Sequence, residues 1–408
     1  MAKTVMLAFL SILLVVAIIL QPDAAFQSSL QGLTVWWNIV FPGLLPFLVL
    51  FELIASFGLV HAIGSLLQPL MHRLFKLPGE ASLAIVLGWM GGYPAGAEAA
   101  ASLRKKNLVT KQQGQRLLAL AHMPNPLFML VVIGAGFLHK PITGVLIAAA
   151  VWFSALWVMI LMTLVRPKTE TENSQTDERE ALENGNILQR AAEALRLGRE
   201  QDGRSFGKAL GDAVTASVQK LMMIGGFMIF AAVLAKLSEP LFSPLLAKTG
   251  LGFISQAFFE GHLGAYSAAV WDAPGAGTLG NAAAIAAVLA WSGLSGILQA
   301  GYSITGTDLK LLPFIAWRVV HSLHALLFML LLWKPATAFL RSILAQGDLP
   351  VFVPAETFLP GHAVAAIIKA GELPALWQFS LPAAFLLALL GLFVSMILLP
   401  FRKANKSI

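Results

Sequence analysis

The residues that could do chemistry in this sequence are ionisable side chains set inside otherwise apolar stretches. Glu52 is one; Glu260 and His262 lie in Phe258-Phe259-Glu260-Gly261-His262; Arg318, His321 and His324 share the stretch 313–334. A charge held in hydrocarbon costs about 3 kcal/mol or more unless a partner or a wet cavity relieves it. Arg318, His321 and His324 fall near one helical face, which must turn toward protein or water; the competing reading is a helix end with side chains reaching for the interface.

A second group consists of places where a helix must break. Gly91-Gly92-Tyr93-Pro94 and Trp291-Ser292-Gly293 interrupt apolar segments, and Met123-Pro124-Asn125-Pro126 does the same early in another. A broken helix presents free N–H groups and the positive end of its dipole, which suits an anionic group. Glycines such as Gly91, Gly92 and Gly96 allow close backbone approach, and Trp89, Tyr93 and Trp291 could stack on a planar ring. Asn125, Gln299 and Ser303 add polar partners. The plainer alternative is small-residue helix packing, which Gly92-x-x-x-Gly96 also fits. The candidate binding set is therefore Gly91, Gly92, Tyr93, Asn125, Glu260, Ser292, Gly293, Gln299, Arg318 and His321.

No catalytic residue, metal ligand set or cofactor is expected. Gly275-Ala276-Gly277-Thr278-Leu279-Gly280 matches a dinucleotide fingerprint in letters but follows no credible strand. His321-x-x-His324 lacks a nearby carboxylate, which favours a core or proton-handling role over zinc. With no cysteine, disulfides and thiolate chemistry are excluded.

The elements that must position these residues follow from composition. The 408 residues are 57% hydrophobic and 12% charged, with mean hydropathy +0.76. A soluble chain carries about twice that charged fraction, so the bilayer is the expected solvent. Apolar runs near twenty residues select helices over a barrel, giving an all-α polytopic membrane protein. Candidate spans cover about 4–20, 35–60, 117–138, 141–165, 208–236, 313–334 and 379–401; the broken segments 82–103 and 282–304 read as re-entrant hairpins, or as kinked spans. Residues 4–20 read as a retained span, since no cleavage site follows them. The net charge of +7 fits an excess of Lys and Arg on the cytoplasmic side, with no nucleic-acid motif.

Residues 166–204 hold 16 of the 49 charges and divide the chain as an aqueous linker, flexible to Asn186, then carrying a short surface helix marked by Ile187, Ala191, Leu195 and Gly198. The predicted organisation is a first span and external loop (1–34), a first membrane repeat (35–165), the linker (166–204), a second repeat (205–334), and a Pro-rich loop region with a last span (335–408). An offset of 202 residues pairs Trp89 with Trp291, Arg116 with Arg318 and His122 with His324. Three crossings between the two starts invert the second repeat.

Six groups of residues carry a resemblance. Gly91-Gly92-Tyr93-Pro94-Ala95-Gly96-Ala97, Asn107-Leu108-Val109-Thr110 and Asn125-Pro126-Leu127-Phe128 resemble the first half of the YlbJ-like sporulation integral membrane proteins. Phe259-Glu260, Trp291-Ser292-Gly293-Leu294-Ser295 with Gln299, and Arg318 with His321 resemble the second half. That family belongs to the nucleoside-recognition, or Gate-domain, group and is similar to concentrative nucleoside transporters. The resemblance implies movement of dipicolinic acid, a planar dianion, from mother cell to forespore across the outer forespore membrane. It also leaves open a nucleoside or nucleobase transporter, a non-transporting scaffold for a sporulation complex and, more remotely, an intramembrane enzyme. A second copy of the chain or a sporulation membrane protein is the partner to expect.

Overall fold

The computed structural model describes residues 2–164, 187–272 and 277–344. All regular structure among them is helical, and five stretches are long and apolar enough to cross a membrane: Pro22–Ser56, Pro141–Leu164, Phe206–Phe242, Gly277–Ser303 and Leu311–Ala338. The chain forms two compact units, 1–338 and 339–408, and the site lies in the first. The predicted span 379–401, the linker residues 166–186 and the Gly275-Ala276 pair lie outside the described residues.

Helix α1 covers Ala2–Leu20 and α2 covers Pro22–Val35. A π-helical turn, Trp36–Val40, carries α2 without interruption into α3, Phe41–Ser56. The loop expected before residue 35 is therefore helix. Pro22 starts it in the favoured first-turn position. The polar residues do not break it, because Ser28 and Thr34 return their hydroxyls to the carbonyls of Ala24 and Leu30 four residues back. This long helix packs against α11, Phe206–Thr249. The Trp36 indole lies over Gly225 and donates to Leu221 O at 2.9 Å, and Glu52 pairs with Lys220.

Helix α4, Leu59–Leu70, ends in a π-helical turn over Met71–Phe75. The surface helix predicted after Asn186 is α10, Ile187–Asp202; Ala191 and Gly198 bury its apolar side. It crosses the turn between α3 and α4 at Gly58, whose φ of 81° and contact with Leu195 O leave no room for a side chain.

Helices α5, Ala81–Gly91, and α6, Ala95–Lys105, fold back on each other around Gly92-Tyr93-Pro94. Gly88 and Gly96 face one another there, and a Cβ on either would come within 1.9 Å of Ala121 O. Ala121 ends α7, Lys111–Ala121, which a Thr110–Gln113 capping box starts. After a break at 122–125 the chain resumes as helix at Pro126, continues as the π-helical α8, Phe128–Phe137, and returns as α9, Pro141–Leu164.

Past α11, helices α12, Phe253–Phe259, and α13, Gly261–Ala269, fold back at Glu260; a Cβ on Gly264 would come within 2.3 Å of Ala257 Cα. Helices α14, Gly277–Trp291, and α15, Gly293–Ser303, follow, then α16, Leu311–Leu344. Three expectations are corrected here. Segment 282–304 does not fold back. Thr278, at the start of α14, meets Lys140 at one end of the bundle, while Asp308, just past α15, meets Arg104 at the other. Two left-handed residues, Ser292 and Gly293, interrupt the helix without reversing it. The offset of 202 also does not match equivalent places. Arg116 donates to Phe75 O and Lys76 O at the end of the bundle, whereas Arg318 lies at its middle. Finally, the region read as loop from 335 begins as helix, because α16 runs through Pro335 to Leu344.

Arg104 holds Asp308 through two hydrogen bonds of 2.8 and 3.0 Å, and this keeps the Asp308 carboxyl below its ordinary value. A carboxyl with a depressed folded-state value stabilises above the unfolded carboxylate range and loses that contribution as pH falls through the depressed value. Acid melting curves should therefore converge: Asp308→Asn melts below wild type at neutral pH, and the gap closes as pH falls through and beneath the depressed value. A constant gap across that range would count against the ion pair.

Candidate functional site

Four helix interruptions meet in the middle of the bundle: Gly92-Tyr93-Pro94, His122–Asn125, Glu260 and Ser292-Gly293. Each leaves backbone groups unpaired, and side chains answer for most of them. Asn125 takes the N–H groups of Leu127 and Phe128 at the start of α8 and gives its own amide N–H to Met90 O at the end of α5. Gly92 sits directly against it; with φ of 79° and the Asn125 Cβ at 2.9 Å, only glycine fits. Glu260 caps α13 by accepting from Leu263 N at 2.6 Å, and its other oxygen lies 2.7 Å from His262 Nδ1. Gly293 packs onto the Glu260-Gly261 backbone.

The two indoles at the breaks do related work. Trp89 donates to Leu120 O and Trp291 to Phe258 O, each reaching the C-terminal turn of a neighbouring helix. Arg318, 1% exposed, donates to His122 O at 2.8 Å and Leu289 O at 3.4 Å, so it caps the ends of α7 and α14 together. The Tyr93 hydroxyl also donates to Leu289 O, tying the first fold-back to α14.

Between these breaks lies a small cavity lined by Tyr93, Ile224, Phe227, Glu260, His262, Ser292, Ser295, Gly296 and Gln299. Its open interior of ≈ 10 Å³ holds about one water. Behind it, the His122 ring stacks at a tilt on Tyr93, with centroids 4.6 Å apart. Both ring nitrogens of His122 and the hydroxyls of Ser292 and Ser295 are buried and accept or donate no hydrogen bond among the described residues. Native interiors leave few polar atoms in this condition, and each costs about 1–3 kcal/mol. Four such atoms lie together beside the cavity.

The structure brings together most of the residues singled out from sequence. Tyr93, Glu260, Ser292 and Gln299 line the cavity; Gly92, Asn125 and Gly293 shape the backbone around it; Gly91 closes α5 beside Phe51. Arg318 stands behind the wall, bonded to carbonyls. His321 is elsewhere: its Nε2 meets Val151 O at 3.0 Å, beside a second small cavity bordered by Leu120 and Trp317. His122 and Ser295 stand outside the candidate binding set drawn from the sequence. His122 directly precedes Met123-Pro124-Asn125-Pro126, and that position was the available signal; Ser295 reads as an ordinary small helix residue.

Comparison with known proteins bears on this site. A Gate family profile, described as nucleoside recognition, matches residues 38–174. The chain is 32% identical over 347 residues to the sporulation integral membrane protein YlbJ of Bacillus subtilis, covering 82% of this chain and 83% of that protein. The chain belongs to the YlbJ family. An uncharacterized protein of Alkalihalophilus pseudofirmus is 33% identical over 101 residues, 25% of this chain and 20% of its own length. No solved structure matches. In this YlbJ-family chain the Gate match takes in the breaks at Gly92 and Asn125 and stops before those at Glu260 and Ser292. The family assignment and the five apolar spans make it a multi-pass integral membrane protein.

Proposed function

We propose that this YlbJ-family protein is a transporter of a small planar anion, with dipicolinate as the leading solute, working by alternating access. The observation that carries the reading is the cluster of unpartnered buried atoms on His122, Ser292 and Ser295 where the four breaks meet. Hydroxyls and an imidazole can donate to carboxylates, and the starts of α6, α8, α13 and α15 add positive dipole ends. The choice of dipicolinate rests on the family resemblance, as does the outer forespore membrane as its location. With room for about one water, the structure is read as a closed state.

The architecture proposed is two inverted repeats. In the first, the span α2–α3 is followed by a re-entrant hairpin (α5–α6), a broken crossing (α7–α8) and a span (α9). In the second, the span α11 is followed by a re-entrant hairpin (α12–α13), a broken crossing (α14–α15) and a span (α16). His122 and Ser292, at equivalent breaks, are 170 residues apart. Three crossings separate the two starts, so the second repeat runs inverted. The Gate description favours a second reading, a nucleoside as solute.

Uptake of radiolabelled dipicolinate into proteoliposomes tests the proposal, with a labelled nucleoside as control. Saturable dipicolinate uptake, reduced at least about tenfold in Ser292→Ala and in His122→Phe, is the expected result; tenfold corresponds to about 1.4 kcal/mol, the scale of one lost hydrogen bond. Nucleoside uptake alone would transfer the site to the second reading. Uptake of neither by folded protein would sink both.

A further inference from the structure

The cavity wall carries a carboxylate, and an anionic solute should be repelled by it. Glu260 is 3% exposed and lies at the tip between α12 and α13. Its Oε1 is 2.7 Å from His262 Nδ1, and both side chains face the cavity. Beside this pair the titratable group on the cavity wall is Tyr93; His122 and Arg318 stand behind it. The Tyr93 ring is 6.2 Å from that of His262. Helices α8 and α11 present only uncharged surfaces: Phe128 with its ring 4.5 Å from His262, and Ile224 and Phe227. Lys220, on the cavity-lining helix α11, is paired with Glu52.

The only cation beside the Glu260 carboxyl among the described residues is the Arg318 guanidinium, which already serves two carbonyls. An anion entering here adds uncompensated negative charge in a medium that screens poorly. Each proton taken up by the Glu260–His262 pair cancels one negative charge of that deficit, so a dianion such as dipicolinate calls for two. The geometry accommodates such uptake, because the imidazole and the carboxylate share one hydrogen bond that can hold a proton on either partner. Intramembrane carboxylates and histidines beside a cavity are characteristic of proton paths.

We propose that Glu260 and His262 together form a proton-binding site that must be loaded for an anion to occupy the cavity, making the protein an anion–proton symporter. Each proton comes from water on the side of entry, rides on the pair, and leaves to water on the opposite side with the solute. This rests on the transporter reading above.

The test uses the full-length protein in proteoliposomes that enclose a pH-sensitive dye, with dipicolinate as the probe. Addition of dipicolinate outside is expected to acidify the lumen, and an inside-alkaline gradient of one pH unit to raise accumulation about tenfold per proton carried. In Glu260→Gln the amide oxygen can still cap α13 at Leu263 N, so the fold has its acceptor; lumen acidification should vanish and the gradient should no longer raise accumulation. His262→Gln should weaken the same response, and melting temperatures in detergent show whether each variant is folded. Dipicolinate uptake by wild type without acidification, or undiminished gradient-driven accumulation in folded Glu260→Gln, overturns the symport. Infrared difference spectra between high and low pH, taken without solute, separate this inference from the one beneath it. If neither dipicolinate nor nucleoside enters, transport and symport both fall. The proton site then stands if a carboxyl band in wild type disappears in Glu260→Gln, and falls if no such band exists.

Discussion

Replacing Arg318 by glutamine should lower the melting temperature of the detergent-solubilised protein sharply, by a stability loss of about 3 kcal/mol or more. The guanidinium is buried and bridges His122 O and Leu289 O, the carbonyl ends of two different helices. Hydrogen bonds from a charged donor contribute about 1.5–3 kcal/mol each, and a buried acceptor left alone adds its own desolvation cost. Leu289 O would keep the Tyr93 hydroxyl; His122 O would lose its side-chain donor. Arg318→Lys keeps the charge but not the two-armed reach, so it should fall between wild type and Arg318→Gln. Thermal unfolding followed by a conformational dye measures this. Unchanged melting with abolished dipicolinate uptake would instead place Arg318 on the solute itself, as the sequence analysis expected.

A larger effect is expected from a single methyl group. In Gly96→Ala the new Cβ would come 1.9 Å from Ala121 O and 2.9 Å from Gly88 Cα. Neither neighbour is the flexible end of a side chain, so one of three backbones has to move. Overpacking a tight core costs about 1–3 kcal/mol where side chains can adjust, and more where only backbone can. Gly96→Ala and Gly88→Ala should therefore yield little folded protein. Gly211→Ala, with open space around its Cβ position, should express and melt as wild type. Size-exclusion profiles of the three variants decide it; a monodisperse Gly96→Ala protein with wild-type melting would refute the tight crossing.

The sequence discloses much of this because its strongest punctuation sits at the right places. Apolar runs and sparse charge suffice for an all-helical membrane protein. Gly91-Gly92-Tyr93-Pro94 announces the first fold-back, since glycine and proline are poor helix interiors for independent reasons. The second fold-back was misplaced by one element because Phe259-Glu260-Gly261-His262 contains no proline. There the helix stops through Glu260, whose side chain caps the next helix, and a lone glutamate carries no such label in a sequence. Matching of Trp, Arg and His at 202 residues reinforces the error: the two indoles do play similar parts, but Arg116 and Arg318, and His122 and His324, occupy unrelated surroundings. His321 was grouped with Arg318 because three positions on a helix bring residues back to within about 60° of each other. That difference is enough to turn one toward the helix ends and the other toward α9.

The crossing of Gly88, Gly96 and Ala121 also has a mechanical meaning. Backbones that touch without intervening side chains cannot slide, so α5, α6 and α7 must travel as one stiff block. Gly264 against Ala257, and Gly293 against the Glu260-Gly261 backbone, weld α12, α13 and the start of α15 in the same manner. Between the blocks the contact runs through side chains instead, where the Tyr93 hydroxyl reaches across to Leu289 O and Arg318 joins that same atom to His122 O. Under the proposed alternating access, a pair of cysteines placed within either block should be silent when oxidised, and a pair placed across the Tyr93–Leu289 contact should stop dipicolinate uptake.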